Sequence, residues 1–255
     1  MNHQHQYTLE KLKKTKSVEM SEDKGIWGKR FFPSNFMRGF DPFVLLDEFF
    51  VEPPGELPTQ INQGFECITY VLDGEIEFKD TDGNVRTITD GGVQRFIAGK
   101  GVQNSFRPVT NGVNHGLRLW IKLPSEMKGT ETSFQYLEAK DIPYEENATK
   151  FIRKIAGRKS PLTLHGNVQF NDVTLAKKAF HKFSFSENER GFIYVITGIN
   201  GSIRINDIII EPGEGMFFEN LHELMIICRD KACRFIFVTG IPYGEPIKIK
   251  DGVVE

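Results

Sequence analysis

"LPTQINQGFECITYVLDGEIEFKDTDGN", running from Leu57 to Asn84, is the stretch on which the fold turns. A glycine-bounded loop leads into a β-rich run from Phe65. In "GEIEFK", Ile76 and Phe78 then fall on one face, with Glu75, Glu77 and Lys79 on the other. A period of two marks a half-buried strand, because successive side chains point to opposite faces. Asp82-Gly83 within "TDGN" is a two-residue hairpin signal, since both positions tolerate positive φ. The reading is strand, glycine turn, strand, tight turn, strand.

The same syntax occurs twice. "TYVLDGEIEF" around Tyr70 returns as "IYVITGINGSIRI" around Tyr194, and "ITDGGVQRF" returns as "IIEPGEGMFF". A spacing of roughly 120 residues is too long for a solenoid repeat and suits a duplicated domain. "LRLWIKLP" reads as a further strand stopped by proline, while "EMKGTETSFQYLEAKDIP" reads as an irregular connection. The expected fold class is all-β: two antiparallel β-barrels, or jelly rolls, in tandem. The expected boundaries are 1–130 for the first barrel, 131–159 for a connecting segment and 160–255 for the second barrel with its tail.

Bulk composition excludes several classes. The 255 residues carry a net charge of −2, so no global field recruits nucleic acid or an anionic membrane. The 22 Phe suit β-rich cores in which flat rings pack between sheets. Cys67, Cys228 and Cys233 form no CxxC pair, and read as reduced buried thiols rather than a disulfide framework or zinc site. The opening "MNHQHQYTLEKLKKTKSVEM" lacks the apolar core of a secretory signal. No run approaches the ~20 apolar residues of a membrane helix. A cytoplasmic protein without membrane or nucleic-acid partners is expected.

Five longer motifs, "FMRGFDPFVLLDEFF", "QGFECITYVLDGEIEFKDTDGN", "GGVQRFIAGKGVQNS", "HGLRLWIKLP" and the late "PYGEPI", occur in an order that resembles the pirin family of bicupins. The similarity runs from about Trp27 to the end. That resemblance implies a single metal, usually iron, in the N-terminal barrel. Its ligands would be two histidines of a His-Pro-His stretch, then a histidine and a glutamate after the glycine corner. It also implies, for some members, quercetin dioxygenase activity, and for the human member a nuclear cofactor role tied to its iron state.

Transferred residue by residue, the family's ligand positions fall on Gln60, Asn62, Asn104 and Phe106. Neutral amides replace imidazole poorly on iron, copper or zinc, and a phenyl ring supplies no ligand. No metal cofactor is therefore expected. Two fates are open for the former site. The amides close on one another, or they present donors and acceptors beside the Phe106 ring to a small aromatic or polar ligand. Glu66 is an additional pocket candidate, because many other cupins use a glutamate at this offset as a ligand; its plainer reading is a hydrogen-bonded strand residue.

Other candidate motifs reduce to scaffold. His3 and His5 read as a solvated terminus, and His115 as a strand-end residue held by hydrogen bonds. His165 and His181 have no motif around them. His222 and Glu223 are neighbours on a strand and so diverge. Ser184 and Ser186, which match the first site in the second half, supply no metal ligands. "KLKKTK" reads as a solvated basic face, and "AGKGVQN" lacks the order that cradles phosphate.

The functional expectation is a binding or regulatory protein, with a small ligand, a protein partner or both. The alternatives are a quercetinase-like dioxygenase and a metal-free cupin isomerase. For a metal-free catalyst, Glu66 is the one obvious acid/base candidate.

Overall fold

The computed structural model describes residues 11–80, 83–250 and 252–254. The chain forms two compact units. Val18–Ile142 with the tail from Tyr243 makes one, and Pro143–Pro242 with the described residues up to Ser17 makes the other. This differs from the boundaries 1–130, 131–159 and 160–255, because both ends of the chain cross over. The strand Leu12–Lys16 pairs with Glu214–Glu219, and residues near Val254 bond to Gln63. Such pairings are long-range, and local pattern does not carry them.

In the N-terminal unit a seven-stranded sheet runs, in spatial order, Ser133–Leu137, Val93–Ala98, Phe65–Asp73, Asn114–Lys122, Phe43–Val51, Ile26–Phe32 and Val18–Asp23. A four-stranded sheet, Leu57–Asn62, Val102–Pro108, Glu75–Asp80 and Val85–Thr89, packs against it. Ile76, Phe78, Ile88 and Phe106 of the small sheet meet Phe49, Val51 and Val71 of the large one in a common core. That contact identifies the inner face. Phe65, Cys67, Thr69 and Val71 point into the barrel, and the residues between them point out.

The second unit repeats this topology: a seven-stranded sheet in the order Leu12–Lys16, Glu214–Glu219, Arg190–Val195, Cys233–Gly240, Val168–Leu175, Lys150–Ala156 and Tyr144–Asn147, with a four-stranded partner. Tyr70 and Tyr194 occupy the same place, fully buried, in the matching strands of the two units.

The segment "EMKGTETSFQYLEAKDIP" is more ordered than its sequence implies. Its residues Ser133–Leu137 pair with Val93–Ala98 as an edge strand, placing half-buried Phe134 and Tyr136 against the core. Glu75–Asp80 and Val85–Thr89 pair as a hairpin, joined by a loop longer than two residues with Gly83 at φ 82°, and Asp82 lies outside the described residues. Among the described residues no helix is long and apolar enough to cross a membrane.

Candidate functional site

The positions singled out in the N-terminal barrel lie on two adjacent strands of the small sheet. Leu57–Asn62 and Val102–Pro108 run antiparallel, with Asn62 opposite Val102 and Asn104 opposite Gln60. Asn62 is buried and donates its amide Nδ2–H to Asn104 Oδ1 at 2.8 Å. Two of the positions thus satisfy part of each other's hydrogen bonding. The side chain of Gln60 lies outside the described residues.

Phe106 is built into the core. It is 5% exposed, with ring centroids 5.2 Å from Phe49 and 5.7 Å from Phe78. It bridges the two sheets.

Glu66 is not part of this constellation. Its neighbour Cys67 joins the inner cluster with Val102 and Trp120, so Glu66 projects from the opposite face of the sheet. There it is fully buried and accepts from Arg95 Nη2 at 2.5 Å and Nε at 3.0 Å. Arg95 Nη1 also donates to Ser133 Oγ at 3.1 Å, tying the edge strand to the pair. A carboxylate committed to a buried guanidinium is a structural element here, and neither a pocket wall nor a free base.

The barrel interior holds polar residues of its own. Across the large sheet, Gln94 pairs with Thr69, Thr69 with Arg118, and Arg118 with Asp47, so the four side chains form one inward-facing row. Asp47 is fully buried and takes two guanidinium groups. Arg30 binds it through Nε at 2.8 Å and Nη2 at 2.9 Å, and Arg118 through Nη2 at 3.0 Å. The next row contains Phe96, Cys67, Trp120 and Leu45.

Burial pushes the Cys67 thiol up to about 12, against the opposing pull of the Arg118 charge and the Thr69 hydroxyl. The indole N–H of Trp120 also favours the thiolate, although it makes no hydrogen bond of ordinary geometry. A thiol held in this way is no nucleophile at neutral pH.

These interior residues had a signal. "FVLLDEFFV" and "LRLWI" each place charge inside a run apolar enough for a doubly buried strand, and a buried charge needs a partner.

One end of this barrel is closed by the tail. Ile247 and Val254 pack on the cluster that contains Val102 and Phe65. Buried Lys122 donates to the Pro246 carbonyl at 2.7 Å and lies 2.9 Å from Glu245 Oε2. The Lys122 ammonium, with Ser125, holds the Glu245 carboxyl down at about 2. Gly64 must be glycine here: its φ is 85°, and a Cβ would strike the carbonyl of Val254.

Elsewhere, His115 Nε2 sits 2.8 Å from Glu48 Oε1 and the ring stacks on Phe50, as a held strand-end histidine should. His181 lies 3.3 Å from Lys150 Nζ, and burial, then that charge, lowers its pKa. His222 reaches toward Glu187 while Glu223 pairs with Lys182. His3 and His5 lie outside the described residues. Ser184 and Ser186 line a cleft of about 650 Å³ in the second unit. Beside them Glu189 accepts from the Ser186 N–H at 2.7 Å and the Thr239 hydroxyl at 2.9 Å. Among the described residues no group of three or more His, Cys, Asp or Glu is gathered around one point.

Comparison with known proteins gives a consistent result. The family model described as Pirin matches residues 24–121. A pirin-like protein of Solanum lycopersicum is 30% identical over 92% of this chain and 83% of its own length. Pirin-1 of Arabidopsis thaliana is 35% identical over 81% of this chain and 74% of its own, and human pirin 27% over 91% and 82%. Among solved structures, a quercetin 2,3-dioxygenase from Acinetobacter baumannii superposes with a TM-score of 0.85 at 25% identity, covering 95% of this chain and 90% of that one. The nickel complex of the bacterial pirin YhhW from Escherichia coli, at 18% identity and TM-score 0.76, shares the fold over 91% of this chain and 99% of its own.

Proposed function

This chain belongs to the pirin family, and we propose that it is a pirin-like bicupin that has lost the family's metal site and works by binding rather than by metal-dependent catalysis. The observation that carries this reading is the 2.8 Å hydrogen bond between Asn62 and Asn104. Two positions where the family resemblance calls for imidazoles hold neutral amides engaged with each other. A third, Phe106, is a core ring. This donor set does not fit iron, copper or zinc, which favour imidazole and thiolate, and no chemical step is derived through such a metal.

Catalysis without a metal lacks an evident base, since Glu66 is bound to Arg95 on the far side of the sheet. What remains is a barrel able to hold a small ligand and a surface able to meet a protein partner. Three buried free thiols support a reducing, cytoplasmic location.

The test is elemental analysis of tag-free protein for iron, zinc, copper, nickel and manganese, paired with a quercetin oxygenation assay with and without chelator. Less than about a tenth of an ion per chain and no turnover are the expected results. Near-stoichiometric metal that survives mild chelation, or turnover that the chelator abolishes, would overturn the reading and favour an enzyme like the Acinetobacter dioxygenase.

A further inference from the structure

Among the described residues, three buried side-chain atoms inside the N-terminal barrel make no hydrogen bond of ordinary geometry within the chain: Gln94 Oε1, Arg118 Nε and Trp120 Nε1, the last of which acts on the Cys67 sulfur. Buried polar atoms are paired in the great majority of cases, and an orphan calls for an explanation such as a water or ligand. Sheet pairing places these three together. Gln94 and Arg118 flank Thr69 in one row, and Trp120 opposes Cys67 in the next. The Arg118 guanidinium lies 5.8 Å from the Trp120 ring centroid, and Cys67 Sγ lies 3.8 Å from Thr69 Oγ1. All project from the inner face, toward the sheet that carries Asn62 and Asn104.

The second barrel is an internal control. Its row at the same place reads Met216, Ile193 and Phe237 where the first barrel has Gln94, Thr69 and Arg118, and continues with Asn171 and Lys154 where the first has Asp47 and Arg30. Those residues belong to a core in which Phe183 and Phe237 stack at 3.8 Å. The fold is therefore satisfied by apolar residues at the three central positions of this layer, and the glutamine, threonine and arginine of the first barrel are not a requirement of the architecture.

The chemistry of the layer is that of an anion receptor. Asp47 is shared by Arg30 and Arg118, so the triad carries a net positive charge. At Cys67 the influence of Arg118 outweighs that of Asp47. Asp80, the acid facing from the small sheet, accepts from Asn84 N and Nδ2, both at 2.9 Å. Arg118 Nε and Trp120 Nε1 are donors that cannot accept. The Gln94 amide bonds the Tyr136 hydroxyl at 3.3 Å, and a phenol can donate as well as accept, so the amide can turn its own N–H inward. Tyr136, the partner of Gln94, also lines a groove of about 830 Å³ between the edge strands Val85–Thr89 and Ser133–Leu137, with Arg86 on its wall.

We propose that this layer binds a small carboxylate, held by Arg118 and by the indole N–H of Trp120, with Gln94 as the third contact. The proposal rests on the reading that the barrel holds no metal, and it replaces a cation centre with an anion site in the same interior.

Full-length, tag-free protein of measured metal content is titrated calorimetrically at low ionic strength with acetate, benzoate, inorganic phosphate and, as the neutral control, acetamide. Saturable binding of a carboxylate but not of acetamide is expected. Trp120→Phe keeps the ring and removes one donor to a charged ligand, so about tenfold weaker binding is expected. Arg118→Lys keeps the charge but loses Nε, and is expected to weaken binding as well. Circular dichroism and thermal unfolding establish that each variant is folded.

Metal-free protein that binds none of the anions would overturn the anion site while leaving the family reading intact, the layer then being hydrated. Equal binding of acetate and acetamide would overturn the charge argument. Phosphate binding in preference to the carboxylates would overturn the ligand class. Binding that both variants leave unchanged would overturn the location. Resident metal would instead overturn the reading beneath the proposal.

Discussion

Replacing Glu66 with leucine separates a structural glutamate from a functional one. Glu66 is fully buried, the Arg95 side chain is 6% exposed, and two hydrogen bonds join them. Removing one partner of a buried pair strands the other charge, at a cost of about 3–5 kcal/mol. At roughly 2–4 °C per kcal/mol for a chain of this size, the transition of the N-terminal unit should fall by about 6–20 °C. Arg95→Met should cost a comparable amount. The double variant should recover much of the loss, because an apolar pair leaves no charge buried. The exposed Lys100–Glu131 pair is the control, and Lys100→Ala should stay within about 0.5 kcal/mol of wild type. Calorimetry and urea unfolding of all four variants measure this. A Glu66→Leu protein within about 1 kcal/mol of wild type would refute the assignment, and would return Glu66 to the list of candidate ligands and bases.

Phe106→Ala should destabilise the same unit by about 3–5 kcal/mol in urea unfolding, since the ring fills the space between Phe49 and Phe78. Glu245 has its pKa lowered from the ordinary 4.5 to about 2, so its contribution to tail docking is complete above about 5 and is lost as pH falls through about 2. Stability measured between pH 6 and 2 should therefore decline more in wild type than in Glu245→Gln, and parallel curves would show that the Lys122 contact contributes nothing. With Cys67 pushed up to about 12 and burial raising Cys228 and Cys233 too, native protein at pH 8 should label slowly with a disulfide reagent. After unfolding all three thiols should react at once, and a fast native equivalent would mean that one lies open.

Strand identity and duplication were legible because alternation in "GEIEFK" and the echo of "TYVLDGEIEF" in "IYVITGINGSIRI" are local patterns. The face on which Glu66 lies was not. In "FECITYVLD" every residue but Asp73 is buried, so alternation carries no information, and only the cross-sheet contacts of Cys67 and Val71 identify the inside. The Leu12–Lys16 strand was hidden differently. Its lysines do face solvent, as "KLKKTK" implies, but Leu12 and Thr15 are buried against a strand some two hundred residues away. Candidate ligand positions came from resemblance, and their mutual hydrogen bond came from the register of two neighbouring strands.

The two barrels share one strand order and fill the centre of the same interior layer with different chemistry. In the second, Met216, Ile193 and Phe237 stabilise the centre of the layer by burial, with Asn171 opposite Phe237. In the first, the same layer holds an Asp47–arginine triad, a threonine and a glutamine. Desolvating those charges offsets much of what their pairing contributes, so the triad is weak evidence for stability. If stability alone governed the interior, the apolar solution present in the other half of the chain would serve. The polar layer is better explained by what its unpaired donors can hold. Donors facing inward around a net positive charge select an anion, just as imidazoles and a carboxylate would select a metal. On the two proposals made above, the loss of one kind of site and the gain of the other are two aspects of one change in what the barrel binds.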